Sequence, residues 1–239
     1  MTAVVATGPR RGLLENMGLK RETVTKIMVA LVVLFAVVWT VWPIAYLFGN
    51  SFKTRIDMFS FDLIFFPLDR PTTEHYEQAF LERDFLWYLR NSALVAVATT
   101  TLSLVIGTIA AFALARFRYP GNLKFHLSFF ILSVRMMPPI VAILPLFVFF
   151  TWMGLHNTKT ALIISYTGFN LPFVVWMMKS YFHEIPHELD ESAMVDGDTR
   201  MGAFWRVILP AARPGLAATA IFCLILSWNE FLFALILTE

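Results

Sequence analysis

Five long apolar segments constrain this 239-residue chain more than any other feature of its sequence. A helix rises about 1.5 Å per residue, so about 20 apolar residues cross the roughly 30 Å hydrocarbon core of a bilayer. Within that core every backbone polar group must be satisfied internally, which favours helices. The sequence therefore predicts an all-α, polytopic transmembrane helix bundle, with spans over residues 27–48, 91–115, 123–150, 160–182 and 214–237.

Composition supports lipid as the solvent of this chain. Hydrophobic residues make up 58% of the sequence and charged residues only 15%, unlike the usage of soluble domains. A net charge of +2, gathered into short blocks between the apolar segments, does not indicate a nucleic-acid partner. The single cysteine, Cys223, lies in an apolar segment and can build neither a disulfide framework nor a cysteine metal site. The histidines are scattered, so we predict no metal site and no catalytic residues.

The distribution of lysine and arginine predicts the orientation, because cytoplasmic loops carry an excess of both. Twelve of these residues lie in the segments that precede the first span and follow the second and fourth, against six in the segments on the other side. We therefore predict a multi-pass membrane protein with a cytoplasmic amino-terminal segment, residues 1–26. The transmembrane domain, residues 27–239, then includes a second cytoplasmic segment, residues 184–213.

The third span contains Arg135 and the pair Pro138-Pro139 near its middle. Proline lacks a backbone N–H and clashes with the preceding turn, so this helix must kink or break. In lipid the freed carbonyls need partners inside a bundle or beside a cavity. The break is therefore either a packing kink or part of a transport pathway.

Two charged residues are predicted at similar depth in the membrane, Arg135 in the third span and Glu230 in the fifth. A charge at the centre of a spanning helix costs roughly 2.5 to 3.5 kcal/mol, so such residues usually pair or line water. They either form a structural ion pair or contribute to a polar lining for a sugar-sized solute. Asn170 and Asn229 are weaker candidates for the pathway, because amides often only join helices by hydrogen bonds.

The segment between the fourth and fifth spans predicts two short helices. Pro186 and the acidic residues that follow it are typical of a helix start, and Gly197 allows a turn. A second helix follows, capped by Asp198 or Thr199 and ending before Pro210. By amphipathicity alone, this pair could lie on the lipid headgroups.

The residues of this segment resemble a known motif. The motif begins with Glu-Ser-Ala at 191–193; Gly197 follows after three residues, Val207 after nine more, and Leu-Pro at 209–210 after one more. This pattern is similar to the cytoplasmic "EAA" loop of permease subunits of ATP-binding-cassette importers. The resemblance implies a coupling helix that docks on a nucleotide-binding subunit and transmits its closure to the spans. The residues that the resemblance assigns to this role are Glu191, Ser192, Ala193, Asp196, Gly197, Val207, Leu209 and Pro210.

A second resemblance narrows the family. Three further segments carry it: Arg-Phe-Arg-Tyr-Pro-Gly at 116–121, Arg-Met-Met-Pro at 135–138 and Ser-Trp-Asn-Glu-Phe at 227–231. With these segments the chain resembles the carbohydrate permeases of the maltose-transporter type, in particular the shorter of their two partner subunits. This resemblance implies a location in the bacterial plasma (inner) membrane and a sugar or polyol substrate. It also implies three kinds of partner: a second permease subunit in a heterodimer, two copies of a nucleotide-binding ATPase, and an extracytoplasmic solute-binding protein. The chain has no phosphate-binding loop, so ATP and Mg²⁺ are expected on the partner ATPase and no cofactor on this chain.

Permeases of this type usually have six spans, whereas five are predicted here, so the expected sixth span is absent from the given sequence. Either this sequence is incomplete or the protein lacks the sixth helix. Two alternatives to a sugar importer remain open. The motif is shared by permeases for other solutes, such as phosphate, metal oxyanions or amino acids. A secondary transporter would need no ATPase, but repeats or several intramembrane carboxylates are typical of that class.

Overall fold

The computed structural model describes residues 21–59 and 70–238, which fold into helices and connecting turns. The predicted all-α fold class is confirmed over these residues. The chain divides into two compact units, Met1–Phe85 and Leu86–Glu239. Each unit is described by itself below.

The first unit begins, in its described part, with the long helix α1, Arg21–Asn50, which contains the predicted span 27–48. Residues 1–20 of the predicted amino-terminal segment lie outside the described residues. Two short helices follow, α2 (Arg55–Met58) and α3 (Glu74–Glu77), and α3 continues as a π-helical turn to Glu82.

The second unit holds the remaining helices. Its long helices are α4 and α7, and the other elements are shorter. In chain order they are α4 (Phe85–Arg116), α5 (Leu123–Met136), α6 (Pro139–Trp152), α7 (Lys159–Glu184), α8 (Glu188–Val195), α9 (Arg200–Ala203), α10 (Leu209–Ala211), α11 (Arg213–Trp228) and α12 (Leu232–Leu237).

Helix α7 is the centre of this unit. Toward its carboxyl end, Val174, Met178 and Phe182 are buried in an apolar cluster with side chains of α4, α11 and the segment between α9 and α10. Toward its amino end, Leu162 and Tyr166 belong to a second cluster with side chains of α4, α6 and α12. Packing at both ends of α7 therefore holds the surrounding helices in place.

The third predicted span is broken where the sequence predicts. Helix α5 ends at Met136, α6 begins at Pro139, and the two axes meet at an angle of 89°. Met137 and Pro138 have extended backbone, with ψ of 127° and 129°. Proline fixes φ and disfavours helical geometry in the preceding residue, which explains the break.

The predicted span 214–237 is not one continuous helix, which corrects the sequence prediction. Helix α11 ends at Trp228 and α12 begins at Leu232. The Asn229 side chain donates to Ile225 O (2.9 Å), and both carboxylate oxygens of Glu230 accept from the Phe233 N–H (3.1 Å). These side chains satisfy backbone groups at the two helix ends, so the chain can change direction between them.

Three helices of the described residues, α1, α4 and α7, are long and apolar enough to cross a membrane singly. The number rises to five if each of two bent pairs is counted as one span. The second pair joins residues 200–211 to α11 at 75°. Helices α5 and α6 have 14 residues each, about 21 Å, so neither could cross the bilayer alone.

Candidate functional site

The segment between α7 and α11 forms a compact pair of short helices, which we call the coupling loop (residues 185–212). Helix α8 begins at Glu188, two residues after Pro186, and carries acidic residues in its first turn. Acidic side chains near a helix amino terminus interact favourably with the helix dipole. The helix start therefore follows from local sequence, although it lies later than Pro186 alone would place it.

Gly197 makes the turn that ends α8. Its φ is +95°, a conformation that glycine adopts without steric cost. Its N–H donates to Met194 O (3.2 Å), and the Asp198 N–H donates to Ala193 O (3.0 Å). These two hydrogen bonds form a Schellman motif, which satisfies the last carbonyls of α8.

Helix α8 has one buried side and one exposed side. Ala193 is 7% exposed and Asp190 is half-buried. Glu188, Glu191, Ser192 and Val195 are exposed and recur at the spacing of one helical face. The exposed face of α8 thus presents two carboxylates and an apolar side chain to the surroundings.

The second half of the coupling loop anchors it to the spans. Thr199 caps α9 by accepting from the Gly202 N–H (3.1 Å), which selects one of the two predicted caps. The Phe204 ring is 1% exposed and lies 4.6 Å, centroid to centroid, from Phe112 of α4. Val207 and Leu209 pack, partly buried, on the same cluster. The apolar motif residues therefore face the core.

The second helix does not end before Pro210, contrary to the sequence prediction. Residues 204–208 form a π-helical turn, and α10 continues through Pro210 to Ala211. The Leu209 N–H donates to Phe204 O, five residues earlier. We attribute the continuation to this wider turn, which leaves room for the proline ring beside the preceding carbonyls.

Arg116, at the end of α4, holds the start of the coupling loop. Its side chain is 3% exposed; Nε lies 2.7 Å from Asp190 Oδ2, and a terminal nitrogen donates to Ile185 O (2.8 Å). The other terminal nitrogen lies 3.1 Å from His187 Nδ1. Burial raises the pKa of the Asp190 carboxyl, although the charges of Arg116 and His187 oppose that rise.

Sequence reasoning used Arg116 only for the charge count and the resemblance, and missed this cluster. Its partners lie about seventy residues further along the chain, so no local spacing brings them together. One signal was available. A basic residue at the last turn of an apolar helix, followed after α7 by an acidic helix start, is consistent with such a pair.

Four of the five predicted pathway residues line one groove. Arg135, Asn170, Asn229 and Glu230 border an open cavity of about 490 Å³ between α5, α7 and the α11–α12 break. Pro138 is not among the lining residues; its neighbour Pro139 is. Asn170 is buried, and its amide nitrogen donates to Ser227 Oγ (2.9 Å), which joins α7 to α11. Asn170 therefore has at least a structural role here.

Glu230 also borders a second cavity of about 330 Å³. Tyr166 and Ser227 line both cavities, so the two share a wall at the α11–α12 break. The second cavity carries Trp87 and Tyr88 from the start of α4 and Lys159 from the start of α7. The Trp87 and Tyr88 rings meet edge to face, and the Lys159 ammonium lies over the Trp87 ring.

Arg135 and Glu230 share the groove but form no ion pair with each other, which is one of the two alternatives that the sequence leaves open. An Arg135 terminal nitrogen donates to Phe169 O at 3.5 Å, and the side chain is exposed to the groove. The Glu230 carboxylate accepts from the Phe233 N–H and so caps α12. Each charged side chain therefore has its own hydrogen-bond partner, and neither pairs with the other.

We therefore expect the two charges to act independently. Neutralising Arg135 (Arg135→Gln) or Glu230 (Glu230→Gln) should each lower solute uptake, and the double variant should lose the sum of the two free-energy changes within about 0.5 kcal/mol. Uptake by membrane vesicles, with each variant normalised to protein in the membrane, measures this. A double variant that is less impaired than either single variant would show that the charges pair.

Within residues 21–59 and 70–238, no group of three or more His, Cys, Asp or Glu side chains is arranged to hold a metal ion. Cys223 is buried in the apolar cluster between α4, α7 and α11.

Comparison with known proteins gives a consistent result. Residues 103–239, which include the coupling loop and most of the groove, match a family model described as binding-protein-dependent transport system inner membrane component. The inner membrane ABC transporter permease protein YcjP of Escherichia coli K12 is 35% identical over 197 residues, which are 82% of this chain and 69% of that protein. The diacetylchitobiose uptake system permease protein DasC of Streptomyces coelicolor is 37% identical over 88% of this chain and 75% of its own length.

The fold has a solved counterpart. A chain in the crystal structure of a bacterial ABC transporter involved in the import of the acidic polysaccharide alginate superposes with a TM-score of 0.76. The match covers 92% of this chain and 77% of that chain at 24% sequence identity. At that identity the likeness establishes the fold alone.

Proposed function

Because this chain belongs to the inner membrane components of binding-protein-dependent transport systems, we propose that it forms one half of the transmembrane pore of an ATP-driven importer for a sugar or related polyol. The observation that carries this proposal is the coupling loop, whose acidic face is exposed and whose apolar face is fixed to α4, α7 and α11. DasC, which is 37% identical over 88% of this chain, is named as a diacetylchitobiose uptake system permease protein, and this supports a carbohydrate substrate.

The partners follow from the same reasoning. The sequence contains no phosphate-binding loop, so the proposal assigns ATP and Mg²⁺ to two copies of a nucleotide-binding subunit. A second permease subunit completes the pore, and an extracytoplasmic binding protein delivers the solute. In this arrangement the chain itself is not an enzyme; it converts closure of the ATPase into movement of its spans.

The pathway is proposed along the groove that holds Arg135, Asn170, Asn229 and Glu230. Three of the residues that line this groove, Asn229, Glu230 and Phe231, form the break between α11 and α12, so irregular backbone lies beside the cavity. Irregular backbone at membrane depth is tolerated where it lines a cavity or is buried in protein. The polar groups there can replace part of the hydration of a sugar during passage.

The proposed function is tested by ATP hydrolysis in the reconstituted complex. The chain is co-expressed with its permease partner, ATPase and binding protein, inserted into liposomes, and assayed with a panel of sugars, phosphate and amino acids. A sugar or polyol should stimulate hydrolysis and uptake together. Stimulation by phosphate or an amino acid alone would favour the importer for another solute, and uptake driven by an ion gradient without ATP would favour a secondary transporter.

The proposed orientation is tested by labelling. Cysteines introduced at Arg70 and Thr199 should react from opposite faces of the membrane, with Thr199 on the cytoplasmic face, because the excess of lysine and arginine marks that side. Cys223 is buried and provides little background reaction. Reaction of both positions with an impermeant maleimide added to intact cells would contradict the assignment.

A charge reversal on the exposed face of α8 tests its role in docking. Glu191→Lys should weaken attachment of the ATPase subunit about tenfold or more, because the lysine would oppose the basic groups expected on the partner. Insertion in the membrane should be unchanged, since Glu191 is exposed. Capture of the ATPase on the tagged permease measures attachment, and Glu191→Gln is the matched control for loss of charge without reversal.

A further inference from the structure

Helix α4 reaches the coupling loop only through side chains. Helices α7 and α11 are joined to the loop by the polypeptide itself, whereas α4 ends at Arg116, about seventy residues earlier in the chain. These contacts are of two kinds: apolar packing, which includes the Phe112–Phe204 ring contact, and the ion pair and hydrogen bonds of the Arg116 cluster. Any movement of the loop reaches α4 through these contacts.

The Arg116 side chain is buried more deeply than a favourable interaction with the helix dipole requires. A basic residue in the last turn of a helix interacts with the dipole while exposed to water, and Arg118, two residues later, is exposed. The Arg116 side chain is instead 3% exposed beneath the loop. Burial of a charge is costly unless it is paired and hydrogen-bonded, and here three groups of the loop meet the guanidinium.

The apolar packing and the Arg116 cluster differ in the movements that they can transmit. The ring contact between Phe112 and Phe204 is apolar and largely non-directional. The guanidinium of Arg116 forms an ion pair with Asp190 of α8 and at the same time donates a hydrogen bond to the backbone of Ile185, so it joins two points of the loop to one side chain of α4. Asp190 lies on the inner side of α8, opposite the exposed carboxylates. Displacement of α8 therefore pulls directly on the end of α4.

We infer that Arg116 is a positioning residue that ties α4 to α8 through Asp190, so that a movement imposed on the coupling loop by the ATPase is transmitted to α4 as well as to α7 and α11. The inference rests on the proposed function, because it assumes that an ATPase moves the loop. It assigns no contact with solute or nucleotide to Arg116. Its consequence is that loss of the tie lowers the efficiency of coupling and leaves docking intact.

The test compares solute taken up with ATP hydrolysed. Wild-type complex and the variants Arg116→Gln and Asp190→Asn are reconstituted in proteoliposomes, and both rates are measured in the same preparation. We expect the ratio of uptake to hydrolysis to fall by about fivefold to tenfold in each variant, the size of a typical coupling between sites. ATPase attachment should stay near the wild-type level, because the exposed face of α8 is unchanged.

Arg116→Lys and Arg118→Gln are the controls. Lysine keeps the charge beside Asp190 but cannot bind Ile185 O and His187 at the same time, so it should restore part of the ratio. Arg118→Gln removes a charge from the same helix end and should leave the ratio unchanged. A purely structural role for Arg116 would lower uptake and hydrolysis in parallel with the amount of complex, without changing their ratio.

Each remaining outcome is decisive. If Arg116→Gln does not assemble, Asp190→Asn and Arg116→Lys are judged alone, and an unchanged ratio in both overturns the inference. Loss of ATPase attachment in these variants would also overturn it, because Arg116 would then only shape the docking surface. If the wild-type complex neither binds an ATPase nor takes up solute with ATP, it is the proposed function that fails.

Discussion

Gly197→Pro is expected to abolish transport while leaving the protein in the membrane. Gly197 has φ of +95°, and proline fixes φ near −65°, so the turn after α8 cannot form with proline at this position. Proline also removes the N–H that donates to Met194 O in the Schellman motif. Helix α8 would then leave the orientation in which its carboxylates are presented to the ATPase.

Gly197→Ala keeps the backbone N–H, so it separates the effect of the backbone conformation from the effect of the lost donor. Apart from Gly197 and its two chain neighbours, no heavy atom of the described residues lies within 4 Å of the position of an added Cβ. Alanine therefore suffers only the cost of its backbone conformation, about 1 to 2 kcal/mol. We expect the alanine variant to keep partial transport and ATPase attachment, and the proline variant to lose both. Normal transport by Gly197→Pro would mean that the orientation of α8 does not matter for coupling.

Gly215→Val is expected to prevent α11 from packing on α7. A Cβ at Gly215 would overlap the ring of Tyr181, with Cδ1 and Cδ2 of that ring at 2.6 Å. Gly215 is buried, and its carbonyl accepts from Thr219 Oγ1 (2.7 Å), so the first turns of α11 have little freedom to move away. Overpacking of this kind costs about 1 to 3 kcal/mol, and more where the backbone must shift.

The amount of folded complex recovered in mild detergent, and its thermal unfolding temperature, measure this effect. Gly168→Ala is the matched control: Gly168 lies inside α7, and no atom of the described residues lies within 4 Å of its added Cβ. Alanine there should be neutral or slightly stabilising, because it favours the helix. Equal recovery of Gly215→Val and wild type would show that α11 can pack without this close approach.

The features that the sequence predicts well are those that lipid or a single residue type imposes. Apolar segments of about 20 residues mark where α1, α4 and α7 lie, because the bilayer sets their length. Pro138-Pro139 predicts the break between α5 and α6, because proline cannot continue the hydrogen-bonding of a helix. Gly197 predicts the turn after α8, because few other residues adopt its conformation.

The features that sequence reasoning misses depend on contacts between distant residues or on backbone geometry. Asn229 and Glu230 appear in the sequence as polar residues inside an apolar segment, and only the structure shows that they cap two helix ends. Arg135 and Glu230 have similar predicted depths, but depth alone does not establish that their side chains meet. Pro210 lies inside a helix because the π-helical turn before it is wider than an α-helical one.

The contact between α8 and an ATPase subunit is the central claim, and site-specific cross-linking tests it most directly. Val195 lies on the exposed face of α8 and is 87% exposed, whereas Trp152 is the last residue of α6, seven residues before α7, and is 83% exposed; cysteine is introduced at each position. Helix α7 has 26 residues, about 39 Å, so these two positions are at opposite ends of the bundle. With a photoactivatable maleimide on each cysteine in the assembled complex, we predict a cross-link to the ATPase from Val195→Cys and none from Trp152→Cys. A complex in which Val195→Cys never cross-links to the ATPase, or in which Trp152→Cys does so equally, would contradict the assignment of α8 as the coupling helix.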